Sequence, residues 1–372
     1  MGERGNSWQR QLDYWAGIPL ACVSAALRRR SVTVPEVKRL GFLCLGAIGD
    51  VLLLSSLVTA LRQRLPYAHL AILTSRANAA AAQLVPGIDN NATFGVREIP
   101  SMISWLRSQQ FDVLVDSTQW ARLGAILSNL SGAKVTVGFA TPGQHRSLGY
   151  TYRVVHRNDR HEVENFLALG RVLFSDLTGL PRLALPDSPL PDVPADLRAD
   201  LCAEEQRRVY LHMWPAGVHA ELKEWPEACW ANLATELSHR GCTVYLTGGP
   251  SDEQRNAAFL RAFPHCRARS LAGRISLRCM GALFAKAAGV VSVNTGTMHL
   301  AALAGAPTVG LHGPTNPLRW GPVGPRVRAL LPRKGTCAYL NLGFEYHKPY
   351  TRCLETLPVV DVLNALHDLR VV

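Results

Sequence analysis

The 372 residues contain no unbroken apolar stretch of the roughly 20 residues that a helix needs to cross a bilayer, so no transmembrane helix is expected. There is no CxxC pair. The nine cysteines, an odd number, are scattered through a chain large enough to fold without covalent staples, which argues against a disulfide framework and for reduced thiols in a cytosolic protein. Cys337 and Cys353 flank an irregular C-terminal stretch and are read either as a pair or metal site, or as two unrelated thiols. Aromatic residues are only 7%, with no RNP-like aromatic strand and no zinc-finger spacing, so no nucleic-acid partner is expected. No two aspartates are spaced as DxD and no His, Cys or Asp cluster has metal-ligand spacing, which points to chemistry with no metal and no cofactor. Acidic residues are scarce: 28 Asp and Glu against 40 Lys and Arg give a formal net charge of +12. That excess favours anionic partners, phosphorylated small molecules or an acidic lipid surface.

Core material is ample. Hydrophobic residues are 48% of the chain and charged ones 18%, which excludes a disordered or fibrous protein, and the length suits two domains. Trp15 to Leu27 is mainly apolar and closes on Arg28, Arg29 and Arg30. A signal peptide carries its positive charge before the apolar run. Here the charge follows it, with Glu3 and Asp13 ahead, so secretion is disfavoured. Leu12, Trp15 and the run beside the arginines suit an interfacial helix on anionic lipid, and equally a helix packed on the body of its own protein. Residues 1–36 are therefore set apart as an amphipathic, candidate membrane-associating segment.

From Arg39 the pattern reads strand, turn, helix: Leu40 to Leu45, Gly46 to Asp50, then Val51 to Leu61. Leu70 to Thr74, Asp112 to Asp116 and Lys134 to Phe139 read as further strands, and Asn78 to Leu84 as a helix. Pro186, Pro189, Pro191 and Pro194 crowd into an extended spacer, which places a domain boundary at 190/191. The alternation restarts with strands at Arg208 to Met213, Thr243 to Thr247 and Val290 to Val293, and a helix at Pro226 to Arg240. The expected fold is α/β, two Rossmann-like domains (37–190 and 191–372, the second with a C-terminal helix) facing each other across a cleft.

Three turns between strands and helices are candidate sites, because helix N-termini present unpaired N–H groups and a positive dipole end. Gly46-Ala47-Ile48-Gly49-Asp50 lacks both GxGxxG and GK[ST], so neither the dinucleotide fingerprint nor the P-loop applies. Asp50 is either a general base kept ionised by the helix dipole or a plain helix cap. Around Trp214-Pro215-Ala216-Gly217, Lys223 is either a point charge for a phosphate or a solvated surface lysine. Asn294-Thr295-Gly296-Thr297 brings two hydroxyls and an unobstructed backbone to a helix start, which suits a diphosphate, and His299 lies on the first turn beyond. That histidine is either structural or a ligand contact.

At these turns the sequence resembles the ADP-heptose:lipopolysaccharide heptosyltransferases and the wider glycosyltransferase family 9, with the two-domain GT-B fold. GAIGDVLLLSSLVTALRQRLPYAHLAILT is similar to the family's opening, KEWP to its central lysine motif and NTGTMHLAALAGAPTVGLHGPTNPLRWGP to its nucleotide-sugar motif, in the family's order over most of Leu40 to Cys353. The resemblance implies metal-independent transfer of a sugar, heptose by family default, with inversion, from an ADP-linked nucleotide-sugar donor. The acceptor implied is a hydroxyl of lipopolysaccharide or another lipid-linked or saccharide acceptor. It implies Asp50 as general base, with Gly46 and Gly49 in its loop. It implies Lys223, Gly217, Thr295, Gly296, Thr297 and His299 on the donor, with Asp252 or Glu253 as acid for the adenosine. The family usually has aspartate where this chain has Asn294, which leaves the transferred sugar open and keeps a catalytically idle, glycan-binding relative as the alternative. A cytoplasmic enzyme resting on the inner leaflet is the expected setting.

Overall fold

Runs such as Leu40–Cys44 and Val113–Val115 are buried on both faces, which suits parallel strands covered by helices on each side. The computed structural model describes residues 7–28, 35–95, 97–188, 193–202, 206–335, 337–340, 342, 345–346, 348 and 350–372. It divides into two compact units between Ala184 and Leu185, just ahead of the proline spacer. Pro189 and Pro191 of that spacer, and Arg29 and Arg30 of the arginine cluster, lie outside the described residues.

The first unit contains α1 (Ser7–Trp15), α2 (Gly17–Leu27), β1 (Arg39–Cys44), α3 (Ile48–Arg64), β2 (His69–Ser75), α4 (Ala79–Ala82), β3 (Asn90–Phe94), α5 (Ile99–Ser108), β4 (Val113–Asp116), α6 (Arg122–Leu130), β5 (Val135–Ala140), β6 (Tyr152–Val155) and α7 (Glu162–Gly170). Its sheet runs β3-β2-β1-β4-β5-β6, with every neighbour parallel. Growth of the sheet reverses between β1 and β4, where Leu40 pairs with Leu70 on one side and Val113 on the other. In open α/β sheets such a reversal opens a crevice at the carboxyl ends of the two strands. Leu43, Leu73, Leu106, Phe111, Leu114 and Leu127 form a core cluster on one face.

The second unit contains α8 (Ala195–Cys202), β7 (Arg208–His212), α9 (Glu227–His239), β8 (Thr243–Leu246), α10 (Glu253–Ala262), β9 (Arg269–Ser270), α11 (Leu277–Ala285), β10 (Gly289–Val293), α12 (Gly296–Leu303), β11 (Thr308–Leu311), α13 (Pro317–Trp320), β12 (Val327–Leu330) and α14 (Val359–Asp368). Its order, β12-β11-β10-β7-β8-β9, repeats the topology of the first unit, with the reversal between β7 and β10. Val209, Leu211, Val244, Val291, Trp230 and Leu366 lie in its core.

The stretch expected as a helix over Asn78 to Leu84 is a single turn, Ala79–Ala82. Asn78 is occupied elsewhere: its amide donates to the carbonyls of Cys44 (3.0 Å) and Gly46 (2.9 Å), and its oxygen accepts from Ser75. A side chain spent on the backbone of another strand favours a turn over a long helix. The N-terminal helices pack on the body of the first unit. Gly17, Ala21, Ser24 and Ala25 of α2 are buried, Ser24 accepts from Asn129 of α6 (3.0 Å), and Asp13 accepts from the Arg122 backbone N–H (2.9 Å) at the start of α6. Among the described residues no helix is long and apolar enough to cross a membrane.

Candidate active site

In the first unit the polar residues gather at the reversal point. Asp50 is the third residue of α3, directly after the turn that leaves β1, and is almost wholly buried. Its Oδ2 accepts from the Ala47 N–H at 2.7 Å, so the carboxylate caps the helix that carries it. Its Oδ1 accepts from the Gln119 side-chain amide at 3.3 Å. Gly49 is buried beside it, and Gly46 passes so close that a Cβ there would lie 2.2 Å from Oδ2. A small cavity opens on this carboxylate, lined by Gly46, Asp50 and the loop Ser117 to Ala121 that follows β4. Helix cap and candidate base are thus the same group: one oxygen is fixed by the backbone and the carboxylate faces a cavity.

The loop that faces Asp50 is held from behind by a buried ionic cluster. Asp116, at the end of β4, accepts from Arg146 (2.5 Å), from the Tyr150 hydroxyl (2.5 Å) and from the Thr118 N–H (2.8 Å). Arg146 also donates to the Thr118 carbonyl, and Thr141 donates to the Gln119 carbonyl. Burial, with Asp116 beside it, pushes the Tyr150 phenol well above its ordinary range, so it stays a neutral donor.

In the second unit the loops after β7 and β10 meet at the equivalent reversal. Thr295 is the extended N-cap of α12, but its hydroxyl lies 3.4 Å from Ser292 and caps nothing, so the first N–H groups of the helix, from Gly296 onward, are left uncapped by it. Thr297 reaches His212 Nε2 at 3.4 Å, and His212 Nδ1 meets Thr247 at 3.0 Å. Burial pushes His212 down to about 4, so the ring is neutral at neutral pH. His299 is buried in the first turn of α12. Asn294 spends both amide hydrogens inward, on His312 Nδ1 (3.1 Å) and the Trp320 carbonyl (3.0 Å). What it can offer a ligand is an acceptor oxygen.

Lys223 is aimed by its neighbours. Leu222 and Trp225 on either side are buried, with Trp225 donating to the Leu357 carbonyl (2.9 Å) and meeting Trp230 edge to face at 4.9 Å. The lysine is left half-exposed, its ammonium on the Ala216 carbonyl at 2.7 Å. Gly217 has φ of 99°, a conformation that side chains resist, and passes near that ammonium. The two acids left open by the sequence separate here. Asp252 accepts from the Gly249 N–H (2.9 Å) within its own turn, and burial raises its carboxyl. Glu253 starts α10, exposed, with its carboxylate against Gly273.

The structure brings Gly46, Gly49 and Asp50 together in one unit, and Asn294, Thr295, Gly296, Thr297 and His299 in the other, with Lys223 and Gly217 on the loop after β7. Sequence reasoning missed Gln119, Asp116, Arg146 and Tyr150, and also His212 and His312, each of which ends or follows a strand. Position after a short apolar run is the signal that would have found the last two. Cys337 and Cys353, both free, prove to be neighbours: burial pushes the Cys353 thiol up to about 12, with a hydrogen bond to Cys337 in the same direction.

Fold and sites together define a protein of two Rossmann-like units, with a carboxylate at the reversal point of one and an anion-ready helix start at that of the other. The sequence profile of glycosyltransferase family 9 (heptosyltransferase) matches residues 99–339, and the chain belongs to that family. Among curated relatives it is similar to the lipopolysaccharide core heptosyltransferase OpsX of Haemophilus influenzae, 27% identical over 290 residues, which span 77% of this chain and 82% of that one. Among solved structures it shares the fold of the E. coli ADP-heptose lipopolysaccharide heptosyltransferase II, with a TM-score of 0.70 at 20% identity over 89% of this chain and 98% of the other. It also shares that of E. coli heptosyltransferase WaaC with ADP-2-deoxy-2-fluoro heptose, with a TM-score of 0.68 at 21% identity, covering 89% and 99%. The chain is a glycosyltransferase.

Proposed function

We propose that this glycosyltransferase moves a heptose from an ADP-linked donor to a hydroxyl of a lipopolysaccharide core acceptor, with inversion and without a metal. The donor and acceptor classes follow the names of the relatives, which are lipopolysaccharide heptosyltransferases or structures holding an ADP-sugar. The acceptor oxygen attacks C1 of the sugar, the bond from C1 to the diphosphate oxygen breaks, and the hydroxyl proton passes to Asp50. ADP leaves with the electron pair of that bond. Lys223 and the N–H groups and hydroxyls at Thr295 to Thr297 stabilise the charge that develops on it. Glu253, rather than Asp252, whose carboxylate is held by the Gly249 N–H, is the acid open to the adenosine. Asn294, with its amide hydrogens held by His312 and Trp320, presents an acceptor to a sugar hydroxyl.

The observation that carries this reading is the geometry of Asp50, a buried carboxylate fixed by its own helix and facing a cavity. Asp50→Asn keeps the cap through the amide oxygen and removes the base. Turnover is expected to fall by about 10²- to 10⁴-fold, with ADP affinity unchanged, measured by product formation and by calorimetry. Turnover within twofold of wild type would remove Asp50 from the mechanism.

A further inference from the structure

Helix α2 is built inside out. Its buried face carries the small residues Gly17, Ala21, Ser24 and Ala25, while its large apolar residues point outward: Leu20 is 54% exposed, Val23 57% and Leu27 72%. Leu12 and Trp15 of α1 are 50% and 75% exposed. A helix on a protein surface ordinarily turns a charged face to water, yet Gly17 to Leu27 contains no charged residue at all. The acid of this hairpin, Asp13, is turned inward on Arg122 (3.1 Å). The rim, by contrast, is basic. Arg28 closes α2 and is held on the body, donating to the Gly149 carbonyl (2.5 Å) and Thr151 (3.0 Å), while Arg153, exposed, donates to the carbonyl of the exposed Leu148 (3.1 Å).

We propose that this face, Leu12, Trp15, Leu20, Val23 and Leu27 with Arg28 and Arg153 at its edge, docks on an anionic lipid surface. The apolar side chains enter the boundary between headgroups and acyl chains while Arg153 meets lipid phosphates, and the charge of Arg28, its guanidinium held on the protein, adds to the positive field at the edge. The basic rim favours lipid over a second copy of the chain, because a two-fold contact would set the same cations against themselves. The helices lie in the interface and do not span it. The placement serves the chemistry. Asp13 accepts from the backbone N–H groups of Arg122 (2.9 Å) and Leu123 (3.3 Å), so the hairpin is fixed to the start of α6, directly after the loop that lines the Asp50 cavity. This inference rests on the proposal above that the acceptor is lipid-linked.

The test is cosedimentation of the full chain, without donor or acceptor, with vesicles of phosphatidylethanolamine and phosphatidylglycerol and with vesicles of phosphatidylcholine. Binding is expected on the anionic vesicles, weakened at least about tenfold in Leu20→Gln/Val23→Gln/Leu27→Gln and several-fold in Arg153→Glu, with circular dichroism unchanged. Wild-type protein that binds neither vesicle, equal binding to both, or variants that bind as wild type does would each overturn the proposal. So would a wild-type dimer in sedimentation velocity that the triple variant dissociates, since the face would then be a contact between copies. If the triple variant fails to fold, Arg153→Glu and a salt titration of the wild type decide. Asp50→Asn should bind vesicles normally, which separates failure of docking from failure of the catalytic proposal.

Discussion

Position 46 admits only glycine, because the first side-chain atom of any other residue would sit on the Asp50 carboxylate. Gly46→Ala should therefore displace Asp50 while leaving the sheet intact. A shift of about 1 Å at a reacting group costs roughly a hundredfold in rate, and loss of the cap about 1 kcal/mol. Steady-state kinetics beside a thermal melt would show a large fall in kcat with a small fall in Tm. A second expectation concerns acid. His212 titrates near 4 when folded against 6.5 in the open chain, so between these values the unfolded state holds the extra proton. Stability from this site is intact above pH 6.5 and is lost as pH falls toward 4, by up to ~3 kcal/mol. His212→Asn should flatten that slope in urea titrations run from pH 4 to 7. Asn294 gives a third case: Asn294→Asp replaces two donated hydrogen bonds by a carboxylate facing the Trp320 carbonyl, and should lower stability by about 1–3 kcal/mol in a denaturant melt.

At the scale of elements, β4 with its following loop depends on partners from elsewhere, because Asp116 at its end is wholly buried and paired with Arg146. Arg146→Met strands that carboxylate and withdraws the donor to the Thr118 carbonyl. Loss of one partner from a buried pair costs about 3–5 kcal/mol, and Gln119 loses the fixed backbone that aims it at Asp50. Urea unfolding should show the loss of stability, and turnover should fall even at temperatures where the variant remains folded. This cluster was invisible in the sequence because Asp116 ends β4 while Arg146 and Tyr150 flank one short turn 30 and 34 residues further on, with no common motif to join them. Central strands such as β1, β4, β7 and β10 were legible, since burial on both faces leaves unbroken apolar runs. The edge strands β3, β6, β9 and β12 were not: Asn90–Phe94 is NNATF, and a strand with one free edge and mixed faces carries no such run. The turns at Gly46 and Asn294 were legible because helix-start chemistry is local. The partners of Asn294 were not, because His312 and Trp320 reach it only through the pairing of β10 with β11 and the turn beyond.

For the molecule as a whole, the same strand order occurs twice, each time with its own sheet and core clusters. At the division the chain commits to one side or the other: the Ala184 N–H donates to the Leu84 carbonyl in the first unit, while Leu185 packs on Gly281 in the second. Each unit exceeds the size at which a domain can bury a sufficient core. Residues 1–184 and 185–372, expressed separately, should therefore each unfold in a single cooperative transition. Their binding should then divide as their chemistry does. Every group assigned to the diphosphate, Lys223, Thr295, Gly296 and Thr297, lies in the second piece, and the proposed base, Asp50, lies in the first. Calorimetry with ADP should give residues 185–372 an affinity within about tenfold of the whole chain, since that piece retains every group proposed to hold the nucleotide. Residues 1–184 should show no binding. ADP binding confined to the whole chain would mean that the diphosphate site is shared between the units, and the assignment of Lys223 and the Thr295 turn as its principal holders would have to be withdrawn.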